Sequence, residues 1–148
     1  MKAIYTIGTQ GMHDGPFLRL LHNCQVDAII DIRLRNEGCY YRFASGKHIR
    51  ALVEQDGIAY RHELMFAPTS AMRKVYESHG DWAAYELTYN YLIDEREMAA
   101  LWREEYSGFE TPCLLCAEDT PVRCHRRLLA EHLSRIFGVP TVHLGKPA

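Results

Sequence analysis

The segment that most constrains the fold is an unbroken apolar run followed by a polar turn and an amphipathic helix. Residues 112–117 read Pro-Cys-Leu-Leu-Cys-Ala, which is typical of a short strand buried on both faces of a parallel sheet. Glu118 and Asp119 then end the run with charge. The sequence therefore predicts a buried strand whose carboxyl end leads directly into a charged turn.

A helix is predicted immediately after that turn. Thr120 and the proline that follows it are suited to an N-cap and a first helical position. Apolar side chains continue at helical spacing as far as Gly138, a residue type that often ends helices. Cys124, His125 and Arg126 then fall near the first turn. Free backbone N–H groups and the positive end of the helix dipole favour an anion or a thiolate at this place.

Length and composition are those of an ordinary globular chain, and we expect one domain over residues 1–148. A net charge of −2 gives no general reason to bind nucleic acid or an anionic membrane. No apolar run approaches the ~20 residues that span a bilayer. The N-terminus is strand-like rather than a signal peptide. Five cysteines, an odd number without a regular framework, favour reduced thiols and a cytoplasmic location.

Strands alternate with helices along the rest of the chain. Further strands are predicted at residues 3–9, 26–32, 58–62 and 140–144. The middle third is predicted to be helical, with a new helix beginning at a capping box formed by Asp94 and Glu97. An aromatic stripe containing Trp82, Tyr85 and Tyr89 is interpreted as core packing rather than as a ligand site.

This alternation predicts a three-layer α/β fold: a mainly parallel five-stranded sheet with right-handed crossovers and helices on both faces. We expect the Rossmann-like strand order 3-2-1-4-5. The carboxyl ends of the first and fourth strands would then flank a ligand-binding crevice. The dinucleotide fingerprint GxGxxG is absent, and we expect no cofactor.

Several segments resemble a known family. Leu-Leu-Cys-Ala-Glu at residues 114–118 and Cys-His-Arg at residues 124–126 look like the signature of the family catalogued as domain of unknown function 488. Residues 5–8 resemble its opening strand, residues 27–33 its Val-Asp-x-Arg strand end, and residues 57–62 its Gly-Ile-x-Tyr-x-His segment. The resemblance covers the whole chain in the expected order. It implies an α/β fold and a site, but no established reaction.

Three residues are candidates for catalysis. Cys124 is the predicted nucleophile, because a helix N-terminus and neighbouring basic side chains favour its thiolate; the alternative is a small buried residue that packs the helix onto the sheet. His125 could act as a general acid or base, since its unperturbed pKa is ~6.5, or could be structural. Asp31 could orient a catalytic group or pair with an arginine.

Arginines are the main candidates for ligand binding. Arg126 could hold a phosphate or carboxylate in a bidentate fork, or form an ion pair with Glu118 or Asp31. Arg33 could complete an anion clamp from the end of the second strand. Gly8 would let the backbone approach a ligand closely. The remaining predicted ligand-binding residues are Thr9, Cys116 and Glu118.

Metal binding is weighed and not predicted. Cys113 and Cys116 have the CxxC spacing, but residues three apart on a strand point to opposite faces. Cys116 could meet Cys124 and His125 at the turn, yet a fourth ligand is not evident. Cys24 and Cys39 are not expected to belong to the site.

A basic and aromatic stretch supports a second class of function. Within residues 33–50 the basic residues are Arg33, Arg35, Arg42, Lys47 and Arg50, opposed by Glu37 and interleaved with Tyr40, Tyr41 and Phe43. Such a mixture favours single-stranded or flipped nucleic acid through phosphate neutralisation and stacking. The alternative is a solvated loop whose aromatic side chains cover the core edge.

Three functions therefore remain open. The first is an enzyme-like protein that binds a small anionic ligand, a phosphate or carboxylate, at the Glu118–Arg126 turn and uses Cys124 in thiol-dependent transfer or hydrolysis. The second is a nucleic-acid-binding module that uses residues 33–50. The third is a non-catalytic regulatory domain with a small-molecule ligand. No pattern in the sequence indicates an oligomeric state.

Overall fold

The computed structural model describes residues 1–38 and 41–145. Its strands are β1 (Ile4–Gly8), β2 (Ala28–Asp31), β3 (Ala59–His62), β4 (Pro112–Cys116) and β5 (Thr141–His143). Its helices are α1 (Asp14–Asn23), α2 (Gly46–Glu54), α3 (Ser70–His79), α4 (Trp82–Glu95), α5 (Met98–Glu105) and α6 (His125–Phe137). The strands form one sheet in which every pairing is parallel, so the predicted α/β class is confirmed.

Helices cover both faces of this sheet. On one face, α1 and α2 bury Phe17 and Ile49 against strand residues that include Leu115. On the other face, α3 to α6 form a larger core around Trp102 that includes Leu114. Successive residues of β4 thus enter opposite cores, which is why this strand reads as a continuous apolar run. No helix in the described ranges combines the length and apolarity needed to cross a membrane.

The strand order is 3-2-4-1-5, and the predicted order 3-2-1-4-5 is wrong. The central strand is β4, which pairs with β2 on one side and β1 on the other. All five residues of β4 are buried, as the centre of a sheet requires, whereas Tyr5 of β1 is half-buried. A crossover that skips one strand spans only ~5 Å more than one to the adjacent position. The length of the helical connections therefore did not determine the order.

Two predicted helix starts also differ from the structure. The capping box at Asp94 is not formed: α4 continues through Glu95, and Glu97 precedes α5 in a left-handed conformation without a side-chain cap. The helix expected from Thr120 begins at His125 instead, with Cys124 as its N-cap. Cys124, His125 and Arg126 consequently lie even closer to the helix N-terminus than predicted. The α6 helix ends at Gly138 as expected, with a left-handed φ of 67° at that residue.

Candidate functional site

A cleft of about 230 Å³ opens where β2 and β4 end side by side. The connections after these two strands run to opposite faces of the sheet, an arrangement that opens a crevice at strand ends in α/β proteins. The turn after β4 forms one wall, and α3 with the start of α4 forms the other. The strand that flanks β4 in this cleft is β2, rather than β1 as the sequence suggested.

Two thiols and an imidazole lie together at the inner wall of the cleft. The sulfurs of Cys116 and Cys124 are 3.0 Å apart, and His125 Nδ1 is 3.7 Å from the Cys116 sulfur. His125 Nε2 lies 2.9 Å from the carbonyl oxygen of Ile32 and therefore carries a proton that it donates there. The other ring nitrogen faces Cys116. The structure thus brings together three of the predicted site residues.

Arg126 lies behind these groups and is fully buried. Its Nε donates to the Thr6 hydroxyl at 3.1 Å, its Nη1 donates to the carbonyl oxygen of Glu118, and Nη1 is 3.7 Å from the Cys124 sulfur. Its Nη2 is buried and makes no hydrogen bond within the described chain. The ion pair predicted with Glu118 or Asp31 is not formed. A buried charge is costly unless an opposite charge compensates it, and the sulfurs of Cys116 and Cys124 are candidates to carry that charge.

Thiolate character falls on Cys116 rather than on Cys124. A hydrogen bond from the Cys124 thiol is the main cause that holds the pKa of Cys116 well below its usual range. Burial opposes this shift, while the positive charges of His125 and Arg126 add to it. Burial, together with that hydrogen bond and the charge on Cys116, raises the pKa of Cys124. Burial alone would lower the pKa of His125, but the Cys116 charge raises it overall. The predicted nucleophile Cys124 is the thiol donor of the pair.

The predicted anion clamp at the end of β2 is an internal ion pair. Asp31 is fully buried and accepts from Arg33 Nε at 2.9 Å and Nη2 at 2.8 Å. The Tyr60 hydroxyl also donates to Asp31, and Arg33 Nη1 donates to the Ala44 carbonyl at 2.6 Å. Burial, with Asp31 nearby, raises the pKa of Tyr60. Asp31 does not line the cleft, whereas Arg33 contributes to its edge.

Gly8 and Thr9 support the turn and do not line the cleft. The Thr9 amide donates to the Cys116 carbonyl at 2.9 Å, and the Gln10 amide donates to the Ala117 carbonyl at 2.9 Å. A Cβ at Gly8 would also lie 3.1 Å from Nη1 of Arg126. The close backbone approach predicted at Gly8 is therefore made by the protein's own turn.

Six further residues line the cleft and were not among the predicted site residues; they are called the outer wall below. They are the arginines Arg35, Arg73 and Arg123 and the aromatic residues Tyr76, Trp82 and Tyr85. Within the described ranges, the three arginines make no ion pair, while Glu77 and Glu118 add negative charge at the edge. The rings of Trp82 and Tyr85 stack with centroids 5.0 Å apart. In the sequence, the i, i+3, i+4 spacing of Arg73, Tyr76 and Glu77 is the pattern that indicates that these three residues share one face of a helix.

Ligand atoms of Cys116, Cys124 and His125 all lie within 4.8 Å of one another and could hold a soft metal ion. The bond from His125 Nε2 to a carbonyl is one that metal-bound histidines commonly make. However, two thiolates would neutralise a divalent cation and leave the charge of Arg126 uncompensated.

The described aromatic side chains of the basic stretch, residues 33–50, do not form the open stacking surface that a nucleic-acid-binding module would need. Phe43 is buried in the core, and Tyr41 packs against it while donating its hydroxyl to the Thr9 carbonyl. Arg42 and Lys47 are exposed. Tyr40 and Cys39 lie outside the described residues. Of the described aromatic residues of this stretch, Phe43 is therefore buried, and Tyr41 is held against it with part of its surface exposed.

Comparison with known proteins identified one match. The family model described as "Domain of unknown function DUF488" matches residues 15–133. That segment contains the Asp31–Arg33 pair, both cleft thiols, His125 and Arg126, but neither Gly8 nor Thr9. No curated protein and no solved structure matches the chain.

Proposed function

This chain belongs to the DUF488 family, whose description assigns no reaction, and we propose that it is an enzyme that binds a small anionic ligand in the cleft and attacks it with the Cys116 thiolate. The observation that carries the proposal is Arg126, fully buried beside two sulfurs without a carboxylate partner in the described chain. A thiolate at Cys116 supplies the missing negative charge. Thiolates are the reactive form of cysteine.

The surroundings of Cys116 support a nucleophile rather than an inert core thiol. Cys113, only three residues earlier, lies in the apolar core between the sheet and α1, and burial raises its pKa. Cys116 instead borders the cleft and receives a hydrogen bond from Cys124. His125 can return a proton to a leaving group, since its Nδ1 lies 3.7 Å from the Cys116 sulfur.

The charge of the outer wall supports an anionic ligand. Arg35, Arg73 and Arg123 border the cleft without an ion pair in the described chain. Guanidinium groups bind carboxylate and phosphate in bidentate geometry. The stacked rings of Trp82 and Tyr85 offer an apolar surface beside them. These features are consistent with transfer or hydrolysis of a group carried on a small anion.

Matched alkylating reagents test the proposal. We would follow iodoacetamide and iodoacetate modification of every cysteine in metal-free protein across pH, with mass-spectrometric mapping. Cys116 should react fastest, with an apparent pKa well below the ~8.5 of an ordinary thiol. The ratio of the iodoacetate rate to the iodoacetamide rate should be higher at Cys116 than at Cys24, the half-buried C-cap residue of α1. If Cys116 stayed unmodified until the protein unfolded, its assignment as the nucleophile would be overturned. If Cys124 reacted faster than Cys116, Cys124 would be the nucleophile instead.

The regulatory alternative is separated from catalysis by Cys116→Ser. If inorganic phosphate stabilises the Cys116→Ser variant and the wild type equally, and if Cys116 of the wild type does not react with the alkylating reagents, the protein is a binding domain. The nucleic-acid alternative has less support than the cleft, because Phe43 is buried and the ring of the exposed Tyr41 packs against Phe43. Weakened binding of a single-stranded oligonucleotide by Arg42→Glu with Lys47→Glu would revive it.

A further inference from the structure

We propose that the electrophile taken by this cleft is an anionic disulfide, and that Cys116 and Cys124 reduce it by forming a reversible disulfide with each other. This inference rests on the proposed function, because it requires a reactive Cys116 thiolate. It adds a substrate class and a separate role for Cys124, the resolving thiol.

The two sulfurs are positioned for this exchange. Their separation of 3.0 Å is about 1 Å longer than a disulfide bond. Cys116 is the last residue of the central strand, whereas Cys124 is the extended N-cap that precedes α6. Cys113 cannot replace Cys124, because its side chain lies in the core on the opposite face.

The first step begins with the Cys116 thiolate. It attacks one sulfur of the substrate R–S–S–R, a bond forms between Cys116 and that sulfur, and the S–S bond breaks to release R–S⁻. In the second step Cys124 loses its proton and attacks the Cys116 sulfur. The mixed disulfide breaks and releases a second R–S⁻, which takes up the proton. The substrate gains two electrons and the cysteine pair loses two.

The local charges make the two steps sequential. While Cys116 is a thiolate, its negative charge and its hydrogen bond with Cys124 oppose ionisation of Cys124. The mixed disulfide removes that charge, but Arg126 Nη1 remains 3.7 Å from the Cys124 sulfur. Free N–H groups at the start of α6 favour a thiolate at the same place. Cys124 therefore becomes easier to ionise only after Cys116 has reacted.

The charge of the cleft wall selects the substrate. Arg35, Arg73 and Arg123 border the approach to the sulfurs, so a disulfide with carboxylate groups should arrive faster than one with ammonium groups. The volume of about 230 Å³ suits a small molecule rather than a protein disulfide.

Two symmetrical disulfides of opposite charge provide the test: 3,3′-dithiodipropionate, with two carboxylates, and cystamine, with two ammonium groups. Reduced full-length protein is mixed with each reagent at low salt, quenched with acid and analysed by mass spectrometry. Wild type should lose two hydrogens, gain no adduct and yield a Cys116–Cys124 cross-linked peptide. The dicarboxylate should react about tenfold faster than cystamine. Cys124→Ser should instead accumulate one adduct on Cys116, and Cys24→Ser should behave as wild type.

The outcomes separate this inference from the proposed function. A stable adduct on Cys116 in wild type would overturn the exchange, because Cys124 would then not resolve it, while the reactive Cys116 would stand. Faster reaction with cystamine would overturn the anionic substrate class. If neither the disulfides nor iodoacetamide modified Cys116 in folded protein, the nucleophile and the exchange would both be overturned.

Discussion

Gly8 packs directly against the backbone of Glu118: a Cβ at Gly8 would lie 1.6 Å from the Glu118 carbonyl oxygen. That carbonyl in turn accepts a hydrogen bond from Arg126. The end of β1 therefore determines where the turn after β4 can lie, and the turn carries the arginine that faces the sulfurs. A residue outside the cleft thus positions residues inside it.

Gly8→Ala should displace this turn, because the Cβ meets backbone rather than a flexible side chain. We expect a loss of about 1–3 kcal/mol in the free energy of unfolding, together with slower alkylation of Cys116. Urea denaturation and thiol mapping measure the two effects. Gly108→Ala is the matched control, since nothing lies within 4 Å of a Cβ at Gly108. Equal stability of the two variants would contradict the role given to Gly8.

Arg126 should control the ionisation of Cys116 through its charge. Arg126→Met removes the charge at similar volume, so the pKa of Cys116 should rise, because a nearby positive charge lowers it in wild type. Arg126→Lys should leave the pKa closer to that of wild type. Thiolate absorbance followed against pH measures the shift. The same titration of Cys116→Ser gives the contribution of the other thiols, which is subtracted. An unchanged midpoint in the methionine variant would show that the guanidinium does not stabilise the thiolate.

The buried Asp31–Arg33 pair should be a large contributor to stability. Asp31→Asn removes the charge of the carboxylate to which Arg33 Nε and Nη2 donate, and breaking a buried ion pair typically costs about 3–5 kcal/mol. Asp14→Asn is the comparison, because Asp14 makes an exposed contact with His48 that is worth about 0–1 kcal/mol. Chemical denaturation measures both. A cost of less than 1 kcal/mol for Asp31→Asn would mean that the Asp31–Arg33 ion pair contributes little to the free energy of unfolding.

Tyr60 should make stability depend on pH in the alkaline range. Burial and Asp31 raise the pKa of Tyr60 in the folded protein, whereas in the unfolded chain it ionises near ~10. The raised pKa therefore contributes stability that is fully present below pH ~10 and is lost as the pH rises above that value. Tyr60→Phe should be less stable at neutral pH, because Asp31 loses a donor, but should lose less on going to higher pH. Parallel curves for the two proteins would refute this assignment.

Removal of metal should leave the Cys116 thiolate unchanged. Arg126 and His125 already supply positive charge beside the sulfurs. Protein purified with and without a strong chelator should therefore show the same rate of Cys116 alkylation. A stoichiometric transition metal in the untreated protein, with alkylation that increases after chelation, would instead make Cys116, Cys124 and His125 the ligands of that metal.

Much of the local structure followed from short-range pattern. The run 112–117 predicted a strand buried on both faces, Gly138 predicted a helix end, and Cys124 to Arg126 were expected at a helix N-terminus. These features depend on neighbouring residues, whose backbone preferences and side-chain periodicity act within a few positions. The family resemblance was likewise present in the sequence, and the match over residues 15–133 confirms it.

The tertiary structure decided what depends on residues distant in the chain. The position of β4 between β1 and β2 brought the sulfurs beside β2 and made α3 and α4 the opposite wall. Packing also brought the Tyr60 hydroxyl to Asp31 and the Arg126 guanidinium to the Thr6 hydroxyl. The sequence by itself determined which reactive groups exist and which local element carries each. Only packing decided which of these groups meet, because contacts between distant segments depend on the whole fold. The resulting distances and burial then determine the charge that each group carries.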